Sequence, residues 1–507
     1  MKRFSIISTI LVIFSLYSFA QKDVIISGGN AVSATVCSNG YVYVWGFNRT
    51  SSSYGILGTG SSSDYVSTPQ RVQGFSSVKQ VNAGGGSFAA VDCEGKVYCW
   101  GDNIYGQCGQ GVTGGVATQP YLVKAGVLTG TEYDDGNGYL CNVSTVCVGN
   151  GNVFAILGGT QYQGYVVAWG GNGESYVSCL GDGTTDDQSE PVWCIDLSGN
   201  KVKHISQISV SHNVTMLLDE DGHVWTAGGM NSYQTTLGRL AEGGYAATAS
   251  STGSTKFGMV YVAENEPLSD IVQIATGAVN SHALDKDGYV WGWGDSWNSA
   301  CGIGANVSSS FPMKVVAGLL GEEDTQGGYL QAKSISAGQS CGFAVSKTGK
   351  PVIWGGLTVL NSSSYDPRYI EYSGSFVHDD VLWISGGNDC AFYGRSDGFA
   401  YAWGGNTSGQ LGIGSTTNQT KAVRMNPPTG CSFRDPVPLA SISSSDITTC
   451  AASAFEGVTL DCGFYVDATL ADNYQITWYK DGVQVQTGNL ASYYTYTTPT
   501  GEQGIGT

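Results

Sequence analysis

The stretch DGYVWGWG, residues 287–294, is a short apolar segment that ends in a tryptophan-glycine step. Apolar runs of this length bounded by turn residues are typical of a β-strand. The pattern, a glycine followed five residues later by tryptophan and glycine, recurs along the chain. Its other copies are NGYVYVWG (39–46), EGKVYCWG (94–101), QGYVVAWG (163–170), the degenerate DGHVWTAG (221–228), TGKPVIWG (348–355) and DGFAYAWG (397–404). Seven copies spaced 49 to 69 residues apart predict a propeller or a solenoid of repeated β units.

Each unit repeats the same succession of four predicted strands. The second unit shows it with VKQVNAGG (78–85), SFAAVDC (87–93), KVYCWG (96–101) and TQPYLV (118–123), separated by glycine-rich turns. Four short strands per unit and seven units form a closed ring in which no long strand edge is exposed. We therefore predict an all-β fold, a seven-bladed β-propeller, over residues 21–425.

The two ends of the repeat region indicate how the ring closes. DVIISGG (23–29) is a strand that precedes the first unit, whereas the last unit ends on KAVRM (421–425), directly before a proline-rich segment. We predict that residues 24–28 add a strand to the last blade, so that strands from both ends of the chain close the ring.

A second motif follows the tryptophan strand in five units, as LGTG (57–60), CGQG (108–111), LGDG (180–183), CGIG (301–304) and LGIG (411–414). With the tryptophan strand, it resembles the repeats of the regulator of chromosome condensation family over residues 24–425. The sixth unit departs most, because it lacks this turn. The resemblance implies a seven-bladed propeller. Known members include a nuclear nucleotide-exchange factor for a small GTPase, which also docks on chromatin, and a secreted inhibitor that caps an enzyme with its loop face.

The chain is acidic and carries few charges. Its net charge is −18, and charged residues make up 13% of the sequence. Such a surface repels phosphate backbones, and no basic cluster offsets it, so we expect no binding of nucleic acid. Low charge together with 74 glycines is typical of a large extracellular β protein.

The first twenty residues predict export. Lys2 and Arg3 precede an apolar run, 4–19, and Ser18-Phe19-Ala20 ends in small residues at the positions that a signal peptidase recognises. We predict a signal peptide at 1–20, a mature chain that begins at Gln21, a secreted or cell-surface location, and no membrane span in the mature chain. Because the compartment is oxidising, some of the 14 cysteines should form disulfides, and Cys179–Cys194 is the best candidate pair.

The composition changes after the last repeat. Residues 426–439 form a proline-rich linker, and residues 440–507 contain the strands EGVTLDC, YQITWYKDGVQV and ASYYTYT. Cys462 followed by Trp478 resembles the opening half of an immunoglobulin-like sandwich, as in the tail modules of bacterial surface proteins. We predict a partial immunoglobulin-like domain here and expect the natural chain to continue past Thr507.

Two insertions between units share an acidic pattern. AGVLTGTEYDDGNGYL (125–140) and AGLLGEEDTQGGYL (317–330) both place three carboxylates before a Gly-Tyr-Leu end. Oxygen ligands of this kind suit weak calcium sites of extracellular modules, and the alternative is a solvated acidic loop. The candidate calcium ligands are Glu132, Asp134, Asp135, Glu322, Glu323 and Asp324.

Alignment of the second strands places one residue of each unit at an equivalent position. The set is Val32, Ser87, Asn152, Asn213, Asn280, Cys341 and Asp389. Equivalent positions of a ring lie on a circle, so we expect these residues to line the axial channel or its mouth. Asn152, Asn213, Asn280 and Asp389 are candidate binding residues, and the alternative is that they satisfy the hydrogen bonds of a wet channel.

Four aromatic residues fall in predicted loops rather than strands: Trp297, Tyr133, Tyr139 and Tyr329. Exposed aromatics on a rigid scaffold are used in protein and glycan recognition. We expect 125–140, 229–268 and 317–330 to project from one face of the propeller and to form that surface.

We therefore predict a secreted, monomeric, non-catalytic protein whose loops bind a protein or a glycan outside the cell. Its five histidines and its serines match no metal-binding or nucleophile motif. An enzyme acting on polysaccharide is the alternative from another class, and it needs carboxylates around the ring axis. An adhesin that presents the propeller on a longer chain is a third possibility. Nucleotide exchange is suggested by family analogy alone. The predicted export of the chain and its acidic composition argue against it.

Overall fold

The computed structural model describes residues 26–428 with short gaps and four strands beyond them. The gaps are 38–39, 50–53, 75–76, 174–178, 230–233, 249–251, 296–298, 305–307, 357–365 and 373–375. The predicted signal peptide, most of the linker 426–439 and Trp297 lie outside the described residues. Among the described residues, no helix has the length and apolar character needed to cross a membrane.

Seven four-stranded antiparallel sheets form the blades, and each is built from four consecutive strands, here termed a to d. Blade 1 consists of β1 Ile26–Gly28, β2 Val32–Val36, β3 Val42–Phe47 and β4 Tyr65–Arg71, and blade 2 of β5 Val78–Ala83, β6 Ser87–Asp92, β7 Val97–Asp102 and β8 Val116–Leu122. Blade 3 consists of β9 Val143–Val148, β10 Asn152–Leu157, β11 Val166–Gly170 and β12 Gln188–Trp193, and blade 4 of β13 Ile205–Val210, β14 Val214–Asp219, β15 Val224–Gly228 and β16 Ser254–Met259.

The last three blades follow after a short hairpin of β17 Tyr261–Ala263 and β18 Glu266–Pro267. Blade 5 consists of β19 Ile271–Thr276, β20 Asn280–Asp285, β21 Val290–Gly294 and β22 Ser309–Lys314. Blade 6 consists of β25 Ala332–Gly338, β26 Cys341–Ser346, β27 Pro351–Gly355 and β28 Arg368–Tyr369, and blade 7 of β29 Val381–Gly386, β30 Cys390–Arg395, β31 Ala400–Gly404 and β32 Gln419–Arg424. A second hairpin, β23 Thr325–Gln326 and β24 Tyr329–Leu330, precedes blade 6, and 3-10 turns span Gly126–Leu128, Gln234–Leu237 and Glu322–Asp324. The predicted all-β, seven-bladed propeller is confirmed.

The alternation of strand direction gives the ring two different faces. Strands a and c run one way and strands b and d run the other, because every neighbouring pair is antiparallel. The a–b turns and the c–d connections therefore lie on one face, which we call the c–d face. The b–c turns and the links between blades lie on the opposite face, which we call the d–a face.

The inner strands enclose a cavity of about 150 Å³ on the ring axis. Their polar side chains join neighbouring blades. The Gln273 side-chain amide donates to the Ile335 carbonyl at 2.8 Å and accepts the Ile335 N–H at 3.0 Å. The Ser27 hydroxyl accepts the Ala83 N–H at 3.0 Å. Polar residues at the axis thus hold the inner strands together.

A belt of backbone hydrogen bonds surrounds the axis at the c–d face. In each bond the donor belongs to one blade and the acceptor to the next. Five such bonds are Asn30 N to Gly84 O at 3.0 Å, and Gly85 N to Gly149 O, Ala278 N to Gln339 O, Gln339 N to Asn388 O and Asn388 N to Gly29 O, each at 3.1 Å. The last bond joins blade 7 to blade 1.

The ring closes without a shared blade, so the prediction for residues 24–28 is wrong. The described strand of that segment, β1, pairs with β2 inside blade 1, and blade 7 supplies all four of its own strands. The two blades meet instead through loops and side chains. The Asn388 side chain donates to Asn30 Oδ1 at 3.1 Å, and the Trp45 indole donates to the Gln410 carbonyl at 2.7 Å.

The six repeated tryptophans are fully buried, and five of them pack on the glycine turn of the preceding blade. Gly58 has a φ of +70°, and a β-carbon there would lie 2.8 Å from Cδ1 of Trp100. The same contact recurs around the ring between Gly109 and Trp169, Gly238 and Trp293, Gly302 and Trp354, and Gly412 and Trp45. The L-G-x-G motif and the tryptophan strand therefore form one interlock between neighbouring blades.

Blade 4, the degenerate unit, replaces this interlock. Ala227 stands at the tryptophan position, and the ring of Phe257 from strand d fills the space against Gly181 of blade 3. Arg239 is fully buried beside it, and its guanidinium donates to the Thr226 and Lys256 carbonyls at 2.7 and 2.9 Å.

The predicted disulfide is wrong. Cys179 and Cys194 are both free and fully buried. The Cys194 thiol donates to the Leu180 carbonyl at 3.2 Å, and burial raises the pKa of Cys179 to about 12. These two cysteines behave as small core residues.

The chain beyond the propeller forms a second unit, Asp435–Thr507. Its described strands are β33 Thr459–Asp461, β34 Gln475–Lys480, β35 Val483–Asn489 and β36 Thr495–Thr497, which pair as β33 with β36 and β34 with β35. YQITWYKDGVQV is therefore two strands around Asp481-Gly482, a dipeptide common in two-residue hairpins. The immunoglobulin-like sandwich stays a prediction.

The interlock can be tested within a single turn. Gly58→Ala should lower the free energy of unfolding by about 2–4 kcal/mol, because it adds a clash with Trp100 to the strain of a positive φ. Gly60→Ala is the control, since Gly60 has a φ of +76° and no atom near its missing β-carbon. We expect about 1 kcal/mol for the control. Denaturant unfolding measures both, and equal losses would contradict the interlock.

Candidate functional site

The two acidic insertions have the same architecture and lie on the d–a face. Each follows strand d of its blade and closes through a backbone bridge, Lys124 with Tyr139 and Val316 with Tyr329. Each insertion also packs against the next blade near its strand d, where Gly126 lies against Pro191 and Gly318 against Pro367. The sequence similarity of the insertions therefore reflects a shared way of fastening one blade to the next.

The third insertion does not share their face, so the predicted common surface is wrong. Strand β16 divides 229–268 into two parts. Residues 229–253 connect strands c and d of blade 4 and begin on the c–d face. Residues 260–268 link blade 4 to blade 5 on the d–a face, together with 125–140 and 317–330.

The aromatic candidates have different environments. Tyr133 is fully buried, in contrast to the predicted exposed loop residue. Its hydroxyl donates to the Gly158 carbonyl at 2.7 Å and accepts the Tyr162 N–H at 2.9 Å. Tyr139 is half-buried, and Tyr329 is 39% exposed. Of these three aromatic residues, Tyr329 alone is classed as exposed.

The carboxylates of the first insertion organise the loop. Asp134 accepts N–H groups from three glycines, Gly130 at 3.0 Å, Gly136 at 2.9 Å and Gly138 at 2.8 Å, and these hydrogen bonds lower its pKa. Glu132 accepts the N–H of Thr160 at 2.8 Å, and Asp135 accepts that of Asn137 at 2.9 Å.

The second insertion uses its acids in the same way. Asp324 is fully buried and accepts hydrogen bonds from the Tyr369 hydroxyl at 2.7 Å and the Thr348 N–H at 2.8 Å. Glu323 pairs with Lys350 at 2.7 Å, and Glu322 is exposed. In the described part of the chain, no three acidic, histidine or cysteine side chains form a group that could hold a metal. Calcium binding stays a prediction, which this hydrogen bonding does not favour.

The axial candidates lie behind the channel wall. Asn152 and Asn280 are fully buried in strand b, whereas strands a and the a–b turns line the two axial cavities. The pairing of strands b and c also corrects the sequence alignment of the second strands. The residue that pairs with the glycine after the tryptophan position is Val214 in blade 4 and Cys390 in blade 7, so Asn213 and Asp389 stand one residue earlier.

Neither axial cavity has a carboxylate among its described lining residues. A glycosidase needs two carboxyl groups on opposite sides of one cleft. The axis therefore gives no support to the polysaccharide-acting alternative.

Sequence reasoning missed a repeated asparagine that shapes the c–d connections. It stands three residues after the tryptophan and is buried. In blade 2, Asn103 accepts the Cys108 N–H at 2.8 Å and donates to the Val112 carbonyl at 3.1 Å. Equivalent asparagines in blades 1, 3 and 7 fasten their connections in the same way: Asn48, Asn172 and Asn406. The spacing W-G-x-N could have revealed this feature.

The c–d face also carries exposed apolar side chains that the sequence analysis did not select. Three lie in the connections of blades 1 and 2, and Tyr65 begins strand d of blade 1. Their exposed fractions are 48% for Tyr54, 46% for Tyr65, 55% for Ile104 and 60% for Val112. The buried asparagines hold the connections that carry them, so this apolar patch is presented by a fixed backbone.

Asp324 makes the stability of its insertion depend on pH. Burial alone would raise its pKa, but the hydrogen bonds from Tyr369 and Thr348 outweigh burial and lower it. A lowered folded-state pKa stabilises the fold above the unfolded value of about 3.9, and this stabilisation disappears as pH falls through the folded pKa. Asp324→Asn should therefore cost about 1.5–3 kcal/mol at pH 7 and less as the pH approaches 3. Urea unfolding measures the cost, and the exposed Glu322→Gln is the control. A cost independent of pH would contradict this role.

Family models match parts of the repeat region. Two models, both described as the regulator of chromosome condensation (RCC1) repeat, match residues 78–107 and residues 39–91 and 397–455. The ultraviolet-B receptor UVR8 of Arabidopsis thaliana is 27% identical over 332 residues, which are 62% of each chain. The human E3 ubiquitin-protein ligase HERC2 is 25% identical over 395 residues, which are 76% of this chain and 7% of HERC2.

Solved structures share the fold. Human WBSCR16 superimposes with a TM-score of 0.58 at 16% identity, covering 76% of this chain and 94% of that one. Yeast RCC1 (Prp20), solved with Kap60, gives 0.55 at 18% identity, covering 80% and 84%. At these identities the likeness concerns the fold alone. This chain therefore carries regulator of chromosome condensation repeats, and its described strands form a seven-bladed propeller.

Proposed function

We propose that this chain is a non-catalytic protein-binding module that acts outside the cell, with its propeller as the recognition surface. The observation that carries the proposal is the apolar patch on the c–d face, formed by Tyr54, Tyr65, Ile104 and Val112. Exposed aliphatic side chains on a fixed backbone favour binding, because little conformational entropy is lost when a partner covers them. A protein of this fold, yeast RCC1 (Prp20), has been solved bound to another protein, Kap60.

A protein partner fits the surface better than a glycan. Sugar rings stack on open aromatic faces, but two such faces on the d–a side are already covered. The Lys201 ammonium lies 3.7 Å from the ring centre of Trp193, and the Lys314 ammonium lies 3.4 Å from that of Tyr289. The patch on the c–d face includes two aliphatic residues, Ile104 and Val112, which suit the apolar side chains of a protein.

The proposal does not include nucleotide exchange or binding of nucleic acid. Export would separate the chain from nuclear partners, and a net charge of −18 opposes contact with phosphate backbones. We also propose that the protein acts as a monomer, since a ring closed by its own blades leaves no unpaired inner strand.

Export can be tested by the mature N-terminus. Expression of the full chain in a bacterial host should yield a protein outside the cytoplasm that begins at Gln21, because 1–20 has the features of a cleaved signal. Ala20→Arg should block cleavage, since the peptidase needs a small residue there. N-terminal sequencing and cell fractionation check both. A cytoplasmic, uncleaved wild-type chain would contradict export.

Protein binding can be tested with a random peptide library displayed on phage. Selection on the immobilised chain should enrich peptides that bind with one-to-one stoichiometry and compete for one site, because the proposed surface is one patch on a fixed frame. Calorimetry and competition measure both. Selection on the bare support is the control. Failure to enrich any sequence, or peptides that bind independently at scattered sites, would overturn the proposed function.

A further inference from the structure

We propose that the c–d face over blades 1 to 3 is a docking surface for a basic protein segment that carries apolar anchors. This inference rests on the proposed function and adds to it the face and the chemistry of the partner. Two properties of the surface lead to it, the contiguity of the apolar patch with an acidic connection and the imbalance of charge on this face.

The apolar patch adjoins the acidic connection of blade 3. The Gly111 N–H, next to Val112, donates to the Ser189 carbonyl at 2.9 Å. The backbone of Gly106, two residues from Ile104, packs on the same serine. Ser189 follows the acidic pair Asp186 and Asp187 by two residues, and both acids are exposed. The apolar connection of blade 2 therefore contacts strand d of blade 3 two residues after its acidic pair.

Blade 1 extends this surface on the other side. Gly55, next to Tyr54, lies against the Thr118 side chain in strand d of blade 2. The connections of blades 1 and 2 thus each contact strand d of the following blade, which places the exposed groups of blades 1, 2 and 3 in one sector of the ring.

The c–d connections carry more carboxylates than cations. Their described residues include seven carboxylates, Asp64, Asp182, Asp186, Asp187, Glu242, Asp295 and Asp366, and two cations, Arg49 and Arg239. Arg49 lies 3.4 Å from Asp64, and Arg239 is fully buried. Beside the carboxylates of blade 3, the Lys256 side chain of blade 4 packs on Gly183.

The d–a face is acidic as well, and only part of its charge is paired, as in Lys286 with Asp270 at 2.9 Å and Arg395 with Asp380 at 2.6 Å. A partner that approaches the ring meets negative charge on both faces, so the charge sets the chemistry of the partner and the apolar patch sets the face. Charge complementarity of this kind selects a basic partner and accelerates its association.

The experiment uses the displayed peptide library and the full chain. The enriched peptides should carry Lys or Arg together with Leu, Ile, Phe or Trp, and their affinity should fall about tenfold between 50 and 500 mM salt. Ile104→Ser with Val112→Ser should weaken the best peptide at least about tenfold, and Asp186→Lys about threefold to tenfold. Val127→Ser with Leu319→Ser is the matched control, because these side chains are 45% and 64% exposed on the opposite face.

The outcomes separate this inference from the proposed function. Basic, apolar peptides whose binding is lost in the c–d variants and kept in the control support both. Peptides that are acidic or uncharged, or whose binding is lost in the control alone, overturn the docking surface while protein binding stands. No enrichment overturns both. Circular dichroism and unfolding of each variant exclude loss of fold, which the high exposure of the substituted side chains makes small.

Discussion

The contact between a buried tryptophan and the left-handed glycine of the preceding blade is the constraint on which the rest of the ring depends. The glycine is needed twice, because its φ is positive and because a β-carbon would collide with the indole, as for Gly302 against Trp354. The indole nitrogen also donates to the preceding blade, at 3.2 Å from Trp354 to the Ala300 carbonyl. A blade therefore completes its core only with its neighbour. Such nearest-neighbour dependence favours a closed ring, in which every blade has a neighbour on both sides.

The same contact also makes the surface of the c–d connections rigid. The strand that buries the tryptophan leads within three residues to a buried asparagine, and that asparagine holds the connection above it. In blade 7, Asn406 accepts the Leu411 N–H at 2.9 Å, and Leu411 begins the glycine turn that packs on Trp45. Core packing and loop conformation are thus coupled. A recognition surface built on these connections is rigid for the same reason that the blades are stable.

The fold could be predicted from the sequence because its determinants are local and repeated seven times. The site could be predicted much less well. Tyr133 lies in an insertion and was expected to be exposed, but the insertion folds back on blade 3 and buries it. Asn213 and Asp389 were displaced by one residue, since a one-residue error in a strand start moves a side chain to the other face. The exposed Ile104 and Val112 carry no motif, and their exposure depends on how the connection turns.

The axis of a propeller is an attractive place to expect a ligand, but in this ring several of its polar groups already join neighbouring blades. Gln273 bonds to the next blade through both its donor and its acceptor, and the backbone amides of the a–b turns form the belt that joins blade to blade. A ligand at the axis would have to replace those bonds, and each buried group left unpaired would cost about 1–3 kcal/mol. The exposed side chains of the c–d connections have no such obligation, because buried asparagines and backbone bonds hold the connections of blades 1, 2, 3 and 7, and side chains such as Ile104 and Val112 stay free to meet a partner. Recognition at the rim is therefore compatible with ring stability, whereas recognition at the axis would compete with it.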